Sequence, residues 1–151
     1  MFKKIAVALD GSQCADEALD VALKLARSES AELAVCSVID PLVIAGTTPP
    51  SPAVDQIIAA RETESRHLVE EAVEKAHRAG IEAEGETRMG PPFDEILQFS
   101  KRHGVDAIVM GTHGRTGLKR LFLGSVAEYV LRAATCPVIV VREGAAKAVH
   151  A

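Results

Sequence analysis

The 151-residue chain has the size of one ordinary domain, long enough to bury a core without disulfides or metal. Hydrophobic residues make up 48% of it but aromatics only 3%, so the core must be built from Val, Ile, Leu and Ala, the palette of a parallel sheet flanked by helices. A net charge of −4 argues against any affinity for nucleic acid or an anionic membrane that rests on overall charge.

The amino terminus "MFKKIAVALDG" reaches Asp10 after a short apolar run, too short for a signal-peptide core or a membrane span. A soluble, cytoplasmic protein is expected. "KIAVALD" reads as a first strand ending in the turn signal "DGS". Ala15, Ala18, Leu19, Ala22, Leu25 and Ala26 then recur at helical spacing, with Ser12 available as the N-cap. "AELAVCSVI" is a second strand, stopped by Asp40-Pro41.

Residues 40–53, with Pro41, Pro49, Pro50 and Pro52, are expected to form a long irregular loop. Ser51-Pro52 then opens a long helix with Val54, Ile57, Ile58, Leu68, Val69, Ala72, Val73 and Ala76 on one apolar stripe, and Gly80 ends it. "IEAEGETRM" is a weakly alternating strand suited to a sheet edge. Pro91-Pro92 opens a shorter helix that Gly104 closes. "VDAIVMG" is a buried strand, "VAEYVLRAA" a helix and "CPVIVVR" the last strand.

This βαβαβαβαβ order reads as an α/β fold, an open five-stranded parallel sheet with helices on both faces and right-handed crossovers. A single domain over residues 1–144 is expected, followed by a disordered tail over 145–151. Ligands of such sheets sit beyond the carboxyl ends of the strands where strand order reverses, so residues after the first, second and fourth strands should converge. Cys14, Cys36 and Cys136 form no CxxC pair and read as small buried apolar residues in a reducing compartment. The five histidines show no zinc-ligand spacing, so no metal centre is expected.

The chemistry concentrates in "GTHGRTGLKRLFLGS", Gly111 to Ser125, between the fourth strand and its helix. Glycines let backbone N–H groups approach a ligand, and the helix start at Ser125 offers unpaired donors and partial positive charge, which together suit a phosphate. Arg115, Lys119 and Arg120 lie close enough in sequence to add countercharge, or to be solvated surface charge. His113 either touches phosphate or faces water, and Asp10 either contacts ligand or serves as a turn residue. The stretch is not a Walker A loop, because Leu118 separates Gly117 from Lys119. The first turn, "DGSQCA", is not a GxGxxG fingerprint, and neither GxSxG nor HExxH is present.

Gly111, two residues, Gly114, nine residues, then Gly124-Ser125 resembles the nucleotide-binding pattern of the universal stress protein family. "ALDGS", "VMGTHGRTG" and "CPVIVV" match that family in order and position, over essentially the whole chain. The resemblance implies a Rossmann-like sheet of order 3-2-1-4-5 and the family's ATP-binding branch, with ATP between strands one and four, alone or with Mg²⁺ or Mn²⁺. It implies that Asp10 contacts the nucleoside, Ala8 and Val38 line the adenine pocket, and Met110 and Gly111 border the ribose. Gly114, Arg115, Gly124, Ser125 and Val126 would hold the phosphates, and Ser12 and His113 complete the expected set.

Three functions are compatible with such a site. The favoured one is a stress-response binding module whose ATP occupancy alters recognition of a regulatory protein partner. Slow ATP hydrolysis or self-phosphorylation, with Ser125 or Ser12 as acceptor, is the enzymatic alternative, although no second carboxylate completes a hydrolytic site in the glycine loop. The third is a dimeric scaffold with ATP as a stabilising ligand. The apolar last strand is expected at a sheet edge, and family members commonly dimerise through it, so a homodimer is expected.

Overall fold

The computed structural model describes residues 1–46, 49–114 and 123–145. Five parallel strands, β1 (Lys4–Leu9), β2 (Glu32–Ile39), β3 (Ala83–Met89), β4 (Ala107–Gly111) and β5 (Val138–Val141), lie in the order β3-β2-β1-β4-β5. The helices are α1 (Gln13–Glu29), α2 (Pro41–Ala45), α3 (Pro52–Arg78), α4 (Pro92–His103) and α5 (Ser125–Ala133). The chain runs outward from β1 through β2 to β3, then returns to build β4 and β5 on the other side of β1. Strand order therefore reverses between β1 and β4.

Alternation along each strand divides the core into two layers. Ile5, Val7 and Leu9 of β1, with Leu33, Val35 and Val109, pack against Ala18, Ala22 and Ala26 of α1 and Val69, Ala72 and Ala76 of α3. On the opposite face Ala6, Ala34, Cys36, Ile108 and Met110 meet Ile96 and Phe99 of α4 and Ala127 and Val130 of α5. Small alanines on α1 and α3 let those helices lie close to a sheet of branched side chains, and Phe99 is the largest side chain fully shut from solvent. Burial pushes the Cys36 thiol up to about 12, so it is a protonated packing group, and burial raises Cys136 as well.

Helix ends follow the sequence signals. The Ser12 hydroxyl accepts from Ala15 N at 3.2 Å to cap α1. Gly104 closes α4 in the left-handed region at φ 61°. The face of β3 turned toward α4 carries charge: Glu84 meets Lys4 at 2.7 Å and His103 at 3.0 Å, while Arg88 bridges Glu86 at 2.9 Å and Glu95 at 2.6 Å. Such charges keep an edge strand from pairing with another chain.

Two expectations are corrected. Residues 40–53 are not irregular throughout: the Asp40 carboxylate accepts from Leu42 N at 3.0 Å and Val43 N at 3.4 Å, and with Pro41 at the first position this starts the single-turn helix α2. The α3 stripe also differs from the apolar spacing, because Ile57 is 47% exposed while Ser65 is buried. The α3 residues buried in the sheet core, Val69, Ala72 and Ala76, all lie in its carboxyl-terminal half. The tail beyond residue 145 lies outside the described residues, as do Arg115, Lys119 and Arg120.

Candidate functional site

A crevice of about 800 Å³, counted to its open mouth, lies over the carboxyl ends of β1 and β4 where strand order reverses. One end is apolar and formed by Ala8 of β1, Val38 of β2, Met110 of β4, and Pro92 and Ile96 of α4. The other is polar, with Asp10 after β1, Thr112, His113 and Gly114 after β4, and Gly124, Ser125 and Val126 at the start of α5. Leu9, Ala15, Gly111 and Ala127 complete the lining. An apolar slot joined to a polar, donor-bearing rim suits a ligand with a flat hydrophobic part and an anionic part.

The polar end is fixed by backbone contacts. Asp10 Oδ1 accepts from Ser12 N at 2.9 Å, an Asx turn that leaves Oδ2 toward the glycine loop. A Cβ on Gly114 would lie 2.8 Å from that Oδ2. Gly124 N donates to Thr112 O at 2.8 Å, closing the loop where α5 begins, and a Cβ on Gly124 would lie 2.7 Å from the same carbonyl. Glycine is required there by proximity rather than by positive φ, since Gly124 is extended at φ −63°.

As N-cap, Gly124 brings no side chain to the first N–H groups of α5, and these lack partners within the helix. Those donors and the positive end of the helix dipole lie at the crevice rim. A phosphate would find three features at that rim: free N–H groups, the Ser125 hydroxyl, and space left open by missing side chains.

Of the residues expected from sequence, Ala8, Asp10, Val38, Met110, Gly111, His113, Gly114, Gly124, Ser125 and Val126 all line this one crevice. Ser12 does not: its hydroxyl is spent on capping α1. Arg115 lies outside the described residues. Sequence reasoning missed Pro92 and Ile96, which α4 carries to the apolar end. The available signal was the Pro91-Pro92 helix start directly after β3, on the same rim of the sheet, with Ile96 one turn further. It also missed Thr112, a residue hidden between glycines. Among the described residues no group of three or more His, Cys, Asp or Glu is arranged to hold a metal, and no helix is long and apolar enough to cross a membrane.

Comparison with known proteins agrees with this architecture. The model of the Universal stress protein family matches residues 1–142. The Bacillus subtilis universal stress protein YxiE is 38% identical, over 94% of this chain and the whole of that one. The solved structure of MJ0577 from Methanocaldococcus jannaschii superposes with a TM-score of 0.81 at 30% identity, covering 94% of this chain and 96% of that one. A universal stress protein from Archaeoglobus fulgidus, solved in complex with dAMP, superposes with a TM-score of 0.65 at 25% identity, covering 92% and 97%.

Proposed function

This chain belongs to the universal stress protein family, and we propose that its crevice binds an adenine nucleotide, ATP in particular, as a regulatory binding module. The observation that carries the reading is the junction of an apolar slot with a glycine-lined helix entrance. The dAMP complex of the Archaeoglobus fulgidus relative supports an adenine nucleotide as the ligand class. In this reading the base enters between Ala8, Val38 and Ile96, and Asp10 accepts from ribose hydroxyls. The α5 entrance at Gly124, Ser125 and Val126, with Gly114 opposite, receives the phosphates. A divalent ion would arrive with the nucleotide, with Asp10 the nearest carboxylate of the lining.

Occupancy would alter the surface offered to a regulatory protein by favouring the conformation that binds nucleotide best. The edge strand β5, with Val138, Ile139 and Val140 only partly covered, supports a homodimer paired along that edge.

The test is to purify the protein without added nucleotide, denature it, and identify the released small molecule by mass spectrometry. ATP or ADP near one per chain is the expected result. A protein that releases nothing and also fails to bind added adenine nucleotides would overturn the reading.

A further inference from the structure

Helix α4 reaches the crevice at its amino end. Pro92 and Ile96, in its first turns, form one side of the apolar slot, and Val38 of β2 stands in the same lining. The helix starts without a side-chain cap: its N-cap is Pro91, and neither Pro91 nor Pro92 has an N–H to give. That end is therefore held by what its side chains meet. Phe93 stacks on Tyr129 at 4.3 Å between ring centres, which ties it to α5.

Glu95, the residue before Ile96, ties the same end to the sheet. Its Oε2 accepts from Arg88 Nε at 2.6 Å, and the two side chains are only 15% and 14% exposed, so the pair is screened far less than one in open water. Arg88 stands on β3 in register with Val38, so the strand position that bears the guanidinium lies beside the one that walls the slot. Gly90 fits closely round the same carboxylate: at φ 148°, a Cβ there would lie 2.7 Å from Glu95 Oε1. The ion pair thus joins the two sides of the slot, one through the strand next to Val38 and the other through the residue next to Ile96.

The carboxyl end of α4 has its own ties to β3. Arg102 pairs with Glu86, and His103 Nδ1 lies 3.0 Å from Glu84 Oε1. Arg88 also donates through Nη1 to Glu86 at 2.9 Å, but that bond stays within β3.

We propose that Arg88 and Glu95 are positioning residues whose ion pair sets the width of the apolar slot and fits it to the adenine ring, a role that rests on the adenine-nucleotide reading of the crevice. A looser α4 would lose dispersion contacts with the base and admit a larger one.

The experiment uses the full chain and calorimetric titration with ATP, AMP and etheno-ATP, whose base carries an extra fused ring, with thermal unfolding as a check on folding. The unsubstituted chain should prefer ATP to etheno-ATP. Glu95→Gln, of the same size but neutral, should weaken ATP and AMP by the same factor, about three- to tenfold, within the range of coupling between neighbouring groups, and should narrow the preference over etheno-ATP. Arg88→Gln should act in the same direction, while Arg88→Lys, which keeps the charge, should retain most of the preference. Glu86→Gln removes the other carboxylate from Arg88 and the partner of Arg102, so it should lower the melting temperature and leave the preference unchanged. That contrast separates slot setting from general stabilisation.

An unsubstituted protein indifferent to the extra ring, a preference unchanged in both Glu95→Gln and Arg88→Gln, or one lost equally in Glu86→Gln would overturn this inference and leave the nucleotide reading standing. Failure of the unsubstituted protein to bind ATP and AMP would overturn both.

Discussion

The carboxylate of Asp10, after β1, reaches the backbone of Gly114, after β4, so closely that a Cβ on Gly114 would lie 2.8 Å from Asp10 Oδ2. The contact spans the point where strand order reverses, and an added methyl would meet the free end of a side chain rather than the backbone. Gly114→Ala should therefore fold with nearly unchanged thermal stability while turning the Asp10 carboxylate away. ATP affinity should fall about tenfold, the order of one hydrogen bond involving a charged group. Paired unfolding and binding curves check this, and a large drop in melting temperature would contradict it.

Gly124→Ala should behave in the opposite way. The methyl would meet the Thr112 carbonyl at 2.7 Å, and that carbonyl is already bonded to Gly124 N. Backbone must move at the start of α5, so stability should fall by about 1–3 kcal/mol, in the range of overpacking in a tight site. Nucleotide binding should be lost with it. Denaturant unfolding of the nucleotide-free proteins measures the first effect without the second.

The β3 face should carry part of the acid sensitivity of the fold. The Lys4 ammonium, then His103, hold the Glu84 carboxyl below its ordinary value of 4.5. A carboxyl depressed in the folded state stabilises above its unfolded value, and that contribution disappears as pH falls through the folded value. Glu84→Gln should therefore be less stable than the unsubstituted chain at neutral pH, and the gap should close as pH falls from 4.5 through the depressed folded value and the Glu84 carboxyl becomes uncharged like the amide. The effect should be small because Glu84 is half exposed, and it should shrink further in high salt. Thermal unfolding across that pH range is the measurement.

If β5 pairs with a second copy, a charge at Val140 should break the assembly. Val140→Glu should halve the solution mass measured by sedimentation or light scattering while the secondary structure stays intact. A monomer before substitution, or an unchanged dimer after it, would rule out this edge as the contact.

Most of the fold was legible because parallel strands buried on both faces appear as short continuous apolar runs, and "KIAVAL", "ELAVCSVI" and "AIVMG" are such runs. The polar half of the site was legible for a related reason: Gly111, Gly114 and Gly124 stand where backbone approaches other atoms too closely for a side chain. The apolar half was less so. Ile96 reaches the crevice from a different helix, and its apolar letter does not say which end of the sheet it covers. Asp40-Pro41 was read as a stop because the pair ends a strand, but the same two residues cap and open α2. Thr112 was illegible for a further reason: a threonine between a glycine and a histidine shows nothing of the bonds that its backbone makes to Val141 and Gly124.

The most direct test of the central claim is calorimetric titration of nucleotide-free protein with ATP, with GTP as the control. One ATP bound per chain, with GTP weaker and Gly124→Ala inert, is the expected result. No saturable binding of ATP to the folded, nucleotide-free protein would contradict the account and leave the crevice as architecture at the head of β1 and β4.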